Sequence, residues 1–198
     1  EGIKETILLE RMSKGEIIIP ANKLHKKLIG KGVGKGLKTK INVNLGVSED
    51  SCDIELEIKK IKSVLALKTD AIMDLSTYGA TSEFRRRMVD ICPVLIGTVP
   101  TYDVVNQHKD KKIRELTIDD FFAVIEQHMQ DGIDFLTIHA GLTKVAVERI
   151  HKNPRLTNVV SRGGAILLEW MTETGNENPF YANYDRLLNL CKKYDVTL

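Results

Sequence analysis

KTDAIMDLSTYGATSEFRRRMVDICPVLIGTVP, residues Lys68 to Pro100, is the stretch that decides the fold. Two short apolar runs, AIMDLS (Ala71 to Ser76) and PVLIGTVP (Pro93 to Pro100), read as strands. Between them, Ser82 to Ile91 places Phe84, Met88 and Ile91 near helical spacing, so this segment reads as a helix with one apolar face. A strand, a helix and a second strand in about 30 residues make a right-handed crossover between parallel strands. Both strands are apolar on both faces, as in a sheet covered by helices or closed on itself.

The alternation extends in both directions. Upstream, TKINVNLG reads as a strand, and Asp53 to Lys68 as a helix with Ile54, Ile58, Ile61 and Leu65 on one face. Before these come a helix in IKETILLERMSKG, stopped by Gly15, and an extended EIIIPAN. Downstream, Tyr102 to Lys112 is a polar connection with a helical turn. TIDD (Thr117 to Asp120) has the form of a capping box, opening a helix through Phe121, Val124, Ile125 and Met129 that ends at Gly132. FLTIHAG is the fourth strand, NVVSRGG the fifth, and DVTL begins a sixth. Helices are expected at Val145 to Ile150, closed by Asn153-Pro154, at Ile166 to Met171 and at Tyr184 to Lys193, with GNENP a turn.

An open doubly wound sheet would place a glycine-rich phosphate loop in its first strand-to-helix turn. Here that turn reads NLGVSEDSCD, and the basic, glycine-rich GKGVGKGLKTK (Gly30 to Lys40) precedes the strand series, where a solvated loop is the simpler reading. A (β/α)8 barrel fits better, because every strand ends in small or polar residues, and barrel sites are built from such ends. A closed barrel has eight units in about 250 residues. The expectation is therefore an incomplete barrel of about six units over residues 39–198, preceded by a helix and extended segment over 1–38.

Composition excludes several function classes. With 42% hydrophobic and 28% charged residues in 198, the chain can bury a core, and a net charge of +2 gives no dominant nucleic-acid surface. No apolar run approaches the roughly 18 residues of a membrane span. Cys52, Cys92 and Cys191 are widely spaced and form neither a disulfide framework nor a CxxC metal knuckle, which suggests a reducing cytoplasm.

The strand ends carry the chemistry. SRGG (Ser161 to Gly164) leads into a helix. Its N–H groups and the Arg162 fork suit phosphate or carboxylate, against the plainer reading of a tight turn with Arg162 in a surface ion pair. His139 in TIHAG is then a hydrogen-bond donor or proton shuttle. Asp74 either orients a polar ligand or caps the next helix. His25, His108, His128 and His151 read as surface residues, Trp170, Tyr181 and Tyr184 as packing or interface aromatics, and Cys52 as structural.

IIIPAN, KINVNLG, DAIMDLST, VLIGTVPTY, GIDFLTIHAG, VVSRGG and YDVTL, in this order, resemble the phosphomethylpyrimidine synthase family of radical S-adenosylmethionine enzymes, from about Gly15 to Leu198. The resemblance implies a (β/α)8 barrel that binds 5-aminoimidazole ribonucleotide. It implies substrate contacts at Asn44, Met73, Tyr102, His139, Ser161, Arg162 and Gly163, with His139 also a catalytic candidate. Asn44, Met73 and Tyr102 follow one another at equal intervals of 29 positions (73 minus 44, 102 minus 73), as in the family. The resemblance further implies a 4Fe-4S cluster, S-adenosylmethionine, a divalent metal (zinc or iron) and a homodimer. The cluster and metal ligands are expected after Leu198, so the chain alone is expected to bind substrate without starting radical chemistry. TVPTYDVV, MDLSTYGATSEFRRR and WMTETGNENPFYANYDRLLNLC are closer to the branch that makes 5-hydroxybenzimidazole for cobamides. The thiamine pyrimidine is the alternative product, and a non-catalytic nucleotide-binding fragment a further one. A phosphosugar aldolase or isomerase would need a lysine or carboxylate at a strand end, and only Asp74 qualifies.

Overall fold

A computed structural model describes residues 2–153 and 155–198. Helix α1 (Glu5–Ser13) is followed by an antiparallel pair, β1 (Ile17–Ile18) and β2 (Val33–Gly34). Gly15, just past α1, has φ +69°, the left-handed backbone that the stop signal requires. The basic loop forms β2 and its flanks, and most of it is exposed.

The regular alternation then begins: β3 (Asn42–Leu45), α2 (Ile54–Ala66), β4 (Ala71–Asp74), α3 (Thr81–Ile91), β5 (Leu95–Thr98), α4 (Pro100–Gln107), a 3-10 turn (Ile113–Glu115), α5 (Ile118–Gln130) and β6 (Phe135–Leu136). Four further helices follow: α6 (Lys144–Lys152), α7 (Arg162–Thr174), α8 (Pro179–Ala182) and α9 (Tyr184–Tyr194). The caps explain several boundaries. Asp53 accepts from Leu56 N and starts α2. The capping box at Thr117 and Asp120 forms as read and starts α5. Pro100 ends the third strand early, because a proline at N1 is preorganised for helix; the polar connection read from Tyr102 is thus mostly α4. Pro154, read as the stop of α6, lies outside the described residues.

β3, β4, β5 and β6 form one parallel sheet in chain order, with no reversal. The register aligns Asn44, Met73, Gly97 and Phe135 in one row and Leu45, Asp74, Thr98 and Leu136 in the next. Since side chains alternate across a strand, the two rows face opposite ways. The helix-facing side carries Ile72, Ile96 and Leu136 into a core with Ile61, Phe84, Met88, Phe121, Ile125 and Met129. Trp170 closes this core from α7, donating Nε1–H to the Leu116 carbonyl at 2.8 Å. The other side, near the starts of the strands, lines a hollow of about 260 Å³ with Ile18, Pro20, Ala71, Leu95 and Phe135 among its walls.

Two strand expectations need correction. NVVSRGG is not a strand: Asn158 to Val160 are unpaired, Val160 is 74% exposed, and Arg162 already belongs to α7. Its place beside β6 is taken by DVTL, whose Thr197 donates N–H to the Asp134 carbonyl at 3.0 Å and accepts from Leu136 N at 2.8 Å. FLTIHAG is strand only at Phe135–Leu136, extended by Thr137 N donating to Thr98 O at 2.9 Å. Beyond that, the His139 carbonyl is claimed by the Asn178 side chain rather than by a neighbouring strand.

The Phe135 ring lies over Gly97, where a Cβ would fall 2.2 Å from two ring carbons. Gly97→Ala is expected to cost about 1–3 kcal/mol through overpacking, read as a lower urea midpoint. A change below about 0.5 kcal/mol would mean that the ring moves aside freely. Among the described residues, no helix is long and apolar enough to cross a membrane.

Candidate functional site

The sequence-predicted site residues fall into two groups, one on β3 and β4 and one around the starts of α4 and α7. Asn44 and Met73 are cross-strand partners on β3 and β4, on the face opposite the helices. Asn44 is exposed and accepts from Asn42 Nδ2 at 2.9 Å, while Met73 is half-buried. Met73 pairs in turn with Gly97 of β5, which leads within three residues into α4.

Tyr102, His139, Ser161, Arg162 and Gly163 make the second group. Tyr102 sits in the first turn of α4, and its ring centroid lies 6.4 Å from that of His139. His139 Nε2 is 2.7 Å from Ser161 Oγ. Ser161 is the N-cap of the 13-residue α7, accepting from Gly164 N at 3.3 Å. The Arg162 guanidinium stands 6.0 Å from the Tyr102 ring. Gly163 backs directly on the imidazole: a Cβ there would lie 2.4 Å from His139 Cε1. Sheet and helix starts thus bring together residues more than 50 positions apart.

The electrostatics of this group are definite. Partial burial holds His139 below the ordinary histidine value, so the ring is neutral at pH 7. Its Nδ1 is buried without a hydrogen-bond partner. Arg162 brings a fixed positive charge, and the first-turn N–H groups of α7 add the positive end of the helix dipole. The arrangement can hold an anion at the α7 terminus while a neutral imidazole faces a polar group beside it.

The loop carrying His139 is set by a residue the sequence reading passed over. Asn178, in the GNENP segment, is fully buried. Its Nδ2 donates to the carbonyls of His139 at 2.8 Å and Leu142 at 3.0 Å, while its Oδ1 accepts from Phe180 N and Tyr181 N. An Asn before a Pro signals an N-cap, which was legible; the reach to His139 was not.

Asp74 belongs to neither group. It points to the helix side, is 3% exposed, and accepts from the backbone N–H and hydroxyl of Ser76. Burial pushes its carboxyl up to about 6. It therefore neither caps the next helix nor faces the group around His139, where an aldolase or isomerase would need its base. Asp74 instead borders a buried charge network. Arg85 of α3 donates Nε–H to Asp131 at 2.9 Å and Nη1–H to Asp103 at 3.1 Å, and lies 4.0 Å from Asp74. Burial and the Arg85 charge push His128 down to about 4. It is thus neutral at pH 7, donating Nε2–H to Asp103 at 3.1 Å and accepting from Thr98 Oγ1 at 2.9 Å.

The reading of four histidines as surface residues holds for His151 alone. His128 is 2% exposed in this network. His25 is 5% exposed and bridges Asp134 Oδ2 and the Cys92 carbonyl, both at 2.8 Å. His108 is half-buried against Asp120. The buried pair are held by carboxylates far away in the chain. Trp170 is a core residue, and Tyr181 and Tyr184 are exposed.

The cysteines do not fit a 4Fe-4S cluster, which needs neighbouring thiolates. Cys52 is exposed, whereas Cys92 and Cys191 are buried thiols pushed up to about 12 and about 11 by burial. No group of three or more His, Cys, Asp or Glu able to hold a metal occurs among the described residues.

Comparison with known proteins follows the same lines. The model of the Radical SAM ThiC family matches residues 1–198. The chain belongs to the Radical SAM ThiC family. Its relatives include phosphomethylpyrimidine synthases of Clostridium perfringens strain SM101 (53% identical), Clostridium kluyveri (52%) and Pelotomaculum thermopropionicum (53%), each aligned over all 198 residues. The chain spans a little under half the length of these relatives, 45% of the first two and 46% of the third. Membership of the Radical SAM ThiC family accounts for the order of strand-end motifs from MDLST to SRGG.

Proposed function

We propose that Asn44, Met73, Tyr102, His139, Ser161, Arg162 and Gly163 form the binding site for 5-aminoimidazole ribonucleotide. On this reading, the protein carrying this chain is a radical S-adenosylmethionine carbon–carbon lyase that makes the phosphomethylpyrimidine of thiamine. The observation that carries the site is the group of Tyr102, neutral His139 and Arg162 around the capped start of α7. Phosphate goes to the helix terminus and Arg162, and the polar base or ribose to the imidazole. His139 is the candidate for proton handling.

The names of the relatives support the pyrimidine product. All three described above are named phosphomethylpyrimidine synthase, and none is named for the benzimidazole product suggested by WMTETGNENPFYANYDRLLNLC. Four strands paired in chain order, with helices on one face and a hollow on the other, support an arc of a (β/α)8 barrel over residues 39–198. The described residues offer no ligand set for a 4Fe-4S cluster or a divalent metal, so no residue of this chain is assigned to either, to S-adenosylmethionine or to a homodimer contact. The cluster would be the group that starts radical chemistry, while the residues named here would bind and orient the nucleotide.

The full-length protein is expected to gain about 2.7 kcal/mol of stability when the nucleotide is present at 100 times its Kd, read as a rise in Tm. Arg162→Ala is expected to remove most of that gain. No rise in Tm for the parent, with phosphate-matched controls, would end the proposal.

A further inference from the structure

The GNENP segment makes contacts that a surface turn does not need. Asn178 is 0% exposed, and its amide makes four hydrogen bonds, two given and two received. The two received bonds cap α8, a role that aspartate would fill equally well. The two given bonds have a different use. They gather the carbonyls of His139 and Leu142, the two ends of the loop that replaces the expected continuation of β6. Glu177 adds to the hold by accepting from Lys144 N at 3.0 Å, which ties the start of α6 to the same segment.

His139 has little else to fix it. Its backbone leaves the sheet after Thr137, its ring rests on Gly163, and its one side-chain hydrogen bond is to Ser161. Only an amide can satisfy both ends of this arrangement. A carboxylate would aim lone pairs at two carbonyls, alanine would leave both carbonyls unmet, and glutamine would add a methylene inside a closed site.

We propose that Asn178 is a positioning residue, an amide clamp that fixes the His139–Leu142 loop and so aims His139 at the bound nucleotide. The proposal rests on the reading of His139 as part of the ligand site. The groups facing His139 are Tyr102 from α4 and Ser161 and Arg162 from the start of α7.

The test separates the clamp from the cap. In the full-length protein, Asn178→Asp keeps the acceptor for α8 and loses both donors. At pH 8, and as long as the variant keeps the parent's helix content, Asn178→Asp is expected to raise the KM for the nucleotide at least about tenfold. NMR titration is expected to move His139 up toward the ordinary histidine value, because the released loop lets water reach the ring. Asn178→Ser, which also caps but is too short to span two carbonyls, is expected to behave alike and serves if the aspartate variant does not fold. A folded variant in which His139 titrates as in the parent overturns the clamp and leaves Asn178 a helix cap. A shifted His139 with no nucleotide binding in parent or variant supports the clamp and removes the ligand reading instead.

Discussion

Arg85→Met is expected to destabilise the protein by about 3–5 kcal/mol, the largest loss foreseen for any single exchange outside the site. Methionine fills much of the same volume, so the effect is electrostatic. Arg85 is 1% exposed and is the buried cation among Asp74, Asp103 and Asp131, each 4% exposed or less, while the exposed Arg86 also reaches Asp131 at 3.3 Å. Burial alone would push the Asp103 carboxyl up. The His128 hydrogen bond and the Arg85 charge outweigh it and hold the group well below the usual carboxylate range. A carboxyl depressed in the folded state contributes stability that is present above its unfolded value of about 3.9 and lost as pH falls through the folded one. Without Arg85 that contribution shrinks, and Asp74, already at about 6, stays protonated to higher pH. His128, no longer repelled by the guanidinium, takes up a proton more readily. Both changes relieve the variant in acid, so the loss should be largest at pH 8 and smaller at pH 5. Urea midpoints at the two pH values read this directly, and adding Asp103→Asn and Asp131→Asn should recover part of the loss. A loss under about 1 kcal/mol at pH 8 would show that the network contributes only what a surface pair does.

How much of this was legible in the sequence follows from where the partners lie. β3, β4, α2 and α5 could be read because their signals are local: apolar periodicity, Asp53 as a cap, and Thr117 with Asp120 three positions on. Pro100 was read as a strand end although it starts α4; both roles suit a proline, and only the chain direction after it decides. Little in the sequence marks Arg85 out from the other two arginines of SEFRRRMVD. Its place four residues after buried Thr81 and four before buried Val89 was the available hint that it shares their face. His25 and His128 gave no hint, because Asp134 and Asp103 are 109 and 25 positions away. The strand-end residues were legible as a set, and their grouping was not. SRGG reads like a strand running into a helix. Only the pairing of Thr197 with the strand beside it shows that the segment reaches His139 from an unpaired approach.

Gly163→Ala is expected to leave the fold standing while lowering turnover by about 100-fold, the scale of an ångström-sized misplacement at a reacting group. The added Cβ would stand 2.4 Å from His139 Cε1, 2.7 Å from Nδ1 and 2.9 Å from Nε2, against the ring itself. Either the helix or the imidazole must yield. The start of α7 is held by the Ser161 cap and by Gly164, where a Cβ would meet Val159 at 2.7 Å, so the backbone there has little room to retreat. The ring stands at the half-buried end of a loop and is the part that moves. Moving it breaks the 2.7 Å contact with Ser161 and swings the imidazole away from Tyr102 and the Arg162 side of the site. Alanine is also a better helix former than glycine by about 1 kcal/mol, which offsets part of any strain and keeps the variant folded. Gly141→Ala, in the same loop, is the control, since a Cβ there meets nothing within 4 Å. Its activity should match the parent's. Equal activity in Gly163→Ala and Gly141→Ala would mean that the place of His139 against α7 has no part in catalysis. A loss confined to Gly163→Ala, with unchanged circular dichroism, would tie turnover to the seat of that one ring.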